Sequence, residues 1–86
     1  LLVADSVAAA ALIPDGAAFL VFLDGAHDAA SVERDVRAWR PKVARGGVLA
    51  GHDEPYPSVR AGLAAALGPG GWRACPDAPG CWEAAG

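Results

Sequence analysis

Apolar residues fall along this chain in two rhythms. Phe19 to Leu23 is apolar without alternation, which predicts a strand covered on both faces. Val48 to Ala50 repeats that pattern, and Leu1 to Ala4 reads as the tail of another strand. Elsewhere the period changes. Ala29, Val32, Val36, Trp39 and Val43 recur at three- and four-residue steps, so a helix beginning after Asp28 carries one apolar stripe. Glu33 and Arg37 lie off that stripe as an i,i+4 pair. Val59, Leu63 and Leu67 form the stripe of a second helix, and Val7 to Ile13 reads as a shorter one.

The breaks between these runs have identifiable chemistry. Asp5 or Ser6 carries an oxygen able to cap the first helix. Pro14-Asp15-Gly16 is a turn, because proline presets its own φ and glycine tolerates positive φ. Pro41 ends or kinks the striped helix near Arg40, and Gly46-Gly47 closes the connection to the next strand. Pro57 suits a first helical turn, where its missing N–H costs nothing, and Gly68 stops that helix. Trp72 to Cys75 and Cys81 to Glu83 flank a Pro-Asp-Ala-Pro-Gly turn, which predicts an antiparallel hairpin. The order is strand, helix, strand, helix, strand, helix, hairpin. Such alternation predicts an α/β fold of parallel strands with helices on their faces, ending in the hairpin.

Composition narrows the picture. With 86 residues there is room for one small domain. The apolar fraction is 53%, but much of it is alanine, which buries little area, so the core is expected to be thin. The absence of methionine and the Leu-Leu-Val start predict an excerpt of a longer or processed chain. A net charge of −3 and scattered basic residues argue against a nucleic-acid face. The longest apolar run, Val7 to Ile13, is far too short to span a membrane, and it follows no charged n-region, so it is not read as a signal peptide. Cys75 and Cys81 lack further ligands at zinc spacing and read as free thiols, with Trp39, Trp72 and Trp82 as packing residues. The expected setting is cytoplasmic.

Candidate chemistry gathers after two strands. "FLVFLDGAHD" delivers Asp24, Gly25, His27 and Asp28, and "GGVLAGHDEPYP" delivers Gly51, His52, Asp53 and Glu54. In parallel sheets ligands bind outside the carboxyl ends of the strands. If these two strands are neighbours, Asp24 and Asp53 suit a hard divalent cation such as Mg²⁺, which takes oxygen ligands. His52 is a further candidate metal ligand, less favoured by Mg²⁺ and better suited to Mn²⁺, Fe²⁺ or Zn²⁺. His27, three residues after Asp24, is a natural general base. Plainer readings stand beside these. Asp24 or Asp28 could cap a helix, His27 could be a surface histidine, and His52 to Pro55 could be a polar turn.

Taken together, "ADSVAAAALIPDG", "FLVFLDGAHDAASVERDVRAWRPKVARGGVLAGHD" and "YPSVRAGLAAAL" resemble the carboxyl-terminal half of a class I S-adenosylmethionine-dependent methyltransferase, with the macrocin-O-methyltransferase-like subgroup nearest. The motifs are Asp24-Gly25-Ala26-His27, Asp35, Trp39-Arg40-Pro41, and Gly46 to Asp53 in that order. The resemblance implies a Rossmann-like three-layer sandwich, here partial. Residues 1–86 would be the carboxyl-terminal part of one domain, and the hairpin its last two strands. It implies Mg²⁺ held by Asp24 and Asp53, with His52 at a position often acidic in related enzymes, and His27 as the catalytic base. It places S-adenosylmethionine against Asp5 and Ser6, and against Asp24 and Gly25. The family's glycine-rich loop and ribose-binding acid have no counterpart in this sequence, and Ala29 stands where relatives often carry an aromatic residue.

The expected activity is metal-assisted O-methylation of a small-molecule hydroxyl, on a sugar or a natural product such as a polyketide. No nucleic-acid or membrane partner is expected, and assembly into a homo-oligomer is left open. Two rivals remain: a metal-dependent hydrolase built on the same cluster, and a non-catalytic Rossmann-like half-domain.

Overall fold

A computed structural model describes residues 2–4, 7–23, 28–76 and 79–85. In chain order the elements are β1 (Leu2–Ala4), α1 (Val7–Ala10), β2 (Ala18–Leu23), α2 (Ala29–Trp39), a 3₁₀ turn (Arg40–Lys42), β3 (Val43–Gly51), α3 (Pro57–Leu67), β4 (Arg73–Ala74) and β5 (Trp82–Ala85). The described strands form one sheet in the order β1-β2-β3-β5-β4. β1, β2 and β3 are parallel to one another. β5 runs antiparallel to β3 and to β4. The fold is therefore α/β and Rossmann-like, with parallel strands and a terminal antiparallel hairpin.

The core follows from the periodicity. Val32, Val36 and Trp39 of α2 and Val59 and Leu63 of α3 are buried, together with Val21, Leu49, Trp82 and Ala84 of the sheet and Ala10 of α1. Leu49, Leu63, Val21, Val36 and Val59 are completely enclosed. Each such side chain contributes about 1.5–3 kcal/mol by leaving water. All three described helices join this one cluster, so they share one face of the sheet. Phe19 and Leu20, consecutive in β2 and therefore on opposite faces, are both exposed, so the apolar run of β2 is not covered on both faces along its length by the described residues. These residues supply two layers of the expected sandwich.

Local chemistry sets the element ends. The Asp28 carboxylate accepts a hydrogen bond from the Ser31 N–H at 3.0 Å, capping α2. α3 starts on Pro57 and stops at Gly68, whose φ of 83° suits glycine. Gly62 lets α2 and α3 approach closely. A Cβ there would lie 2.6 Å from the Ala29 carbonyl oxygen and 2.7 Å from Val32 Cβ. Arg37 ties the two helices further, its Nη2 donating to the Ala65 carbonyl at 2.9 Å and its Nε to Glu33 at 2.9 Å.

Three expectations need correction. Val43 continues the three-and-four spacing of α2 but opens β3. Pro41, which cannot donate, turns the chain through a 3₁₀ turn before the strand begins. Gly46-Gly47 does not lie between elements but inside β3, a strand of 9 residues. There Gly47 permits close approach to β2, since a Cβ would meet the Phe19 carbonyl at 2.5 Å. The first helix is 4 residues long rather than reaching Ile13. Beyond Ala10 the chain tightens into turns in which Leu12 and Ile13 donate three residues back.

Candidate functional site at the strand ends

Register places the site. Ala4 of β1 pairs with Leu23 of β2, Leu23 pairs with Gly51 of β3, Gly51 pairs with Trp82 of β5, and Trp82 pairs with Ala74 of β4. These five residues form one rung across the whole sheet. Each parallel strand leaves the sheet just past this rung. The predicted residues Asp5 and Ser6 follow Ala4 in sequence, Asp24, Gly25 and His27 follow Leu23, and His52 and Asp53 follow Gly51. Of these, Asp5, Ser6, Asp24, Gly25 and His27 lie outside the described residues. His52 and Asp53 are described.

His52 is exposed, and its ring meets Phe22 edge-to-face, centroids 4.8 Å apart with an interplanar angle of 83°. This geometry suits the aromatic quadrupole and fixes the imidazole against the ring of Phe22. Asp53 follows with φ of 64°, in the left-handed region that a short polar side chain tolerates. Its carbonyl accepts from the Tyr56 N–H at 3.1 Å, which closes a turn.

That turn is fastened to the rest of the fold. The Glu54 N–H donates to the Gly80 carbonyl at 3.0 Å. The Glu54 carboxylate is buried and pairs with Arg60 of α3, Nη2 to Oε2 at 2.9 Å, while Arg60 Nε donates to the Glu54 carbonyl at 3.1 Å. On the strand side, Gly51 abuts the buried indole of Trp82. His52 and Asp53 thus project from a turn held by α3, β5 and the hairpin loop. Sequence reasoning treated Glu54 as part of a polar turn. The signal that could have found it is an acid three residues before a proline-started helix, with an arginine one turn inside that helix.

Asp28 serves as the helix cap, and the Ser31 backbone N–H and hydroxyl hold its carboxyl below the ordinary value of 3.8. Asp35, one of the motif residues, lies on α2, where partial burial raises its carboxyl pKa against the opposing pull of Arg34. Trp39 packs in the core, as its stripe position predicts. Among the described residues no group of three or more His, Cys, Asp and Glu side chains is placed to hold a metal ion. The predicted trio includes Asp24, so the described donors at this edge are His52 and Asp53. A carboxylate and an imidazole are donor types that divalent cations take, but these two described side chains alone do not make a metal site. A separate cleft of about 450 Å³, lined by Gly46, Gly47, Gly71, Trp72, Arg73 and Glu83 among others, does not include these residues.

No helix among the described residues is long and apolar enough to cross a membrane. A family model described as a methyltransferase domain matches residues 1–54, which include the carboxyl ends of the three parallel strands β1, β2 and β3. Comparison with curated proteins gives no match. Among solved structures, the chain is similar to the apo structure of CalS11, a TDP-rhamnose 3'-O-methyltransferase and an enzyme in calicheamicin biosynthesis. Identity is 18% and the TM-score 0.61, over 79% of this chain and 31% of that one. The chain therefore spans about a third of the length of that enzyme, and at this identity the likeness is one of fold.

Proposed function

We propose that this chain, which belongs to the methyltransferase-domain family, carries the acceptor and base side of an S-adenosylmethionine-dependent O-methyltransferase acting on a small-molecule hydroxyl. The observation that carries the reading is the rung Ala4–Leu23–Gly51. It brings three strands to a common edge, and every residue singled out for chemistry follows one of those three positions in sequence. Side chains from separate stretches of chain can then act on one bound molecule. Positioning of this kind supplies much of the rate of a bimolecular transfer.

In this reading Asp5, Ser6, Asp24 and Gly25 hold the cofactor, whose sulfonium supplies the methyl group. Asp24, His52 and Asp53 hold a divalent cation, which when bound makes a hydroxyl easier to deprotonate. His27 accepts the proton of the acceptor hydroxyl. Phe22 orients His52, and the Glu54–Arg60 pair keeps Asp53 at the sheet edge. A sugar hydroxyl is the favoured acceptor, because one solved structure of similar fold is a TDP-rhamnose 3'-O-methyltransferase.

The test is calorimetric titration of the full-length protein with S-adenosylhomocysteine, with and without Mg²⁺. Binding is expected, and Asp24→Ala is expected to weaken it. Absence of binding under both conditions overturns the reading in favour of a hydrolase or an inert half-domain.

A further inference from the structure

The two cysteines lie one step beyond the same rung. Trp82 pairs with Ala74, so the next opposed pair on the hairpin is Cys81 and Cys75. The Cys75 N–H donates to the Cys81 carbonyl at 2.9 Å, which confirms that register. In a hydrogen-bonded antiparallel pair of this kind the Cα atoms lie about 5.5 Å apart, inside the range of Cα separations that disulfides span, about 4.4–6.8 Å. Both thiols are free. Cys75 is half-buried and Cys81 is buried, and the Cys81 thiol donates to the Trp82 carbonyl at 3.6 Å.

The neighbours of Cys81 matter as much as its partner. Gly80 accepts the hydrogen bond from Glu54, and Trp82 packs against Gly51. Cys81 therefore sits between the two contacts through which the hairpin holds the His52–Glu54 turn.

We propose that Cys75 and Cys81 form a reversible cross-strand dithiol–disulfide site, and that the oxidised form fixes the hairpin against the turn bearing His52 and Asp53. The oxidant class is a low-molecular-weight disulfide such as glutathione disulfide. The more accessible Cys75 attacks first as its thiolate. It forms a mixed disulfide and releases one glutathione. Cys81 then attacks the Cys75 sulfur, the Sγ–Sγ bond forms, and the second glutathione leaves. Two electrons pass from the protein dithiol to glutathione disulfide, and the two thiol protons end on the two glutathiones. Partial burial, with the Cys81 sulfur beside it, pushes the Cys75 thiol up to about 11. Only the thiolate attacks, so the first step accelerates as pH rises from 7 toward 9, about tenfold per unit.

The experiment incubates the native protein with glutathione disulfide at several pH values and reads intact mass after alkylation of remaining thiols. The expected product has lost two hydrogens, takes up no alkylating agent and carries no glutathione. It reverts with dithiothreitol. Amide exchange at Glu54, followed in the same samples, is expected to slow several-fold on oxidation. Cys81→Ala is expected to stop at a glutathione adduct on Cys75. Should that variant fold poorly, Cys75→Ser keeps the test open, since it leaves only a buried thiol and is expected to gain no glutathione. Native protein that accumulates glutathione adducts, or keeps both thiols free at every pH, overturns the site. A disulfide that leaves Glu54 exchange unchanged overturns its coupling to the turn. None of these readouts depends on methyl transfer.

Discussion

The indole of Trp82 occupies the space that a side chain at Gly51 would need. A Cβ built at Gly51 falls 2.6 Å from Trp82 Nε1 and 2.7 Å from Cε2 and Cζ2, closer than real atoms approach. Trp82 is itself 2% exposed and cannot swing into solvent without opening the core. Gly51→Ala is therefore expected to destabilise the protein by about 1–3 kcal/mol through overpacking. Trp82→Ala removes a large buried ring and is expected to cost about 3–5 kcal/mol. Urea denaturation measures both. The double variant distinguishes a shared cause, because contacting sites depart from additivity. Gly51→Ala with unchanged stability would refute the contact.

The Glu54–Arg60 pair predicts an asymmetry. The glutamate is buried and the arginine is more than half exposed. Glu54→Gln leaves Arg60 to water and is expected to cost less than about 1 kcal/mol. Arg60→Ala strands a buried carboxylate and is expected to cost about 1–3 kcal/mol. Equal losses in the two variants would show that burial of Glu54 is not what makes the pair matter.

Acid titration separates two carboxyls of α2 and its cap. Asp28 has its folded pKa lowered from 3.8 by the Ser31 hydrogen bonds. Its contribution to stability is present above 3.8 and is lost as pH falls through the lower folded value. Asp28→Asn keeps a capping oxygen, so stability at neutral pH is expected to stay close to the parent while the decline below pH 3.8 becomes shallower. An unchanged acid limb would contradict the cap assignment.

Asp35 has the opposite sign. Partial burial raises its folded pKa above 3.8, so the folded state binds its proton more tightly. Stability from this group is full below 3.8 and declines as pH rises through the raised value. Asp35→Asn is expected to be slightly more stable than the parent at neutral pH and equal to it in acid. A variant less stable than the parent at pH 7 would argue for a partner of the carboxylate that outweighs burial.

For activity, His27→Ala in the full-length enzyme is expected to lower kcat about 100–10,000-fold, as loss of a general base does. The loss should shrink as pH rises, because hydroxide then competes as the acceptor of the hydroxyl proton. Asp24→Ala and Asp53→Ala are expected to abolish any dependence of turnover on added Mg²⁺ while leaving the fold intact by circular dichroism. Full activity in both would remove the metal from the proposal.

Much of the fold was legible before any coordinates. The period of Ala29, Val32, Val36 and Trp39 marks α2 because a helix buries one stripe. Pro57 and Gly68 bound α3 because each has a backbone preference that suits one end. The same logic misplaced Val43. Its spacing continues the stripe, and periodicity alone does not register that Pro41 has already turned the chain. Gly46-Gly47 misled for a related reason: glycine marks a turn or a close strand–strand approach equally well, and only the Phe19 carbonyl across from Gly47 decides between them.

The sequence by itself determined the order of elements, their buried faces and the delivery of Asp24, His27, His52 and Asp53 after two apolar runs, because these depend on local backbone preference and on hydrophobic period. Only the tertiary structure decided that Ala4, Leu23, Gly51, Trp82 and Ala74 share one rung, that β5 enters between β3 and β4, and that Glu54 is buried against Arg60. The same is true of Trp82 filling the place of a Gly51 side chain and of Cys75 facing Cys81. Those facts depend on strand register and on packing between segments far apart in the chain. A shift of one residue in register reverses every face, and no local stretch of sequence encodes which neighbour it will meet.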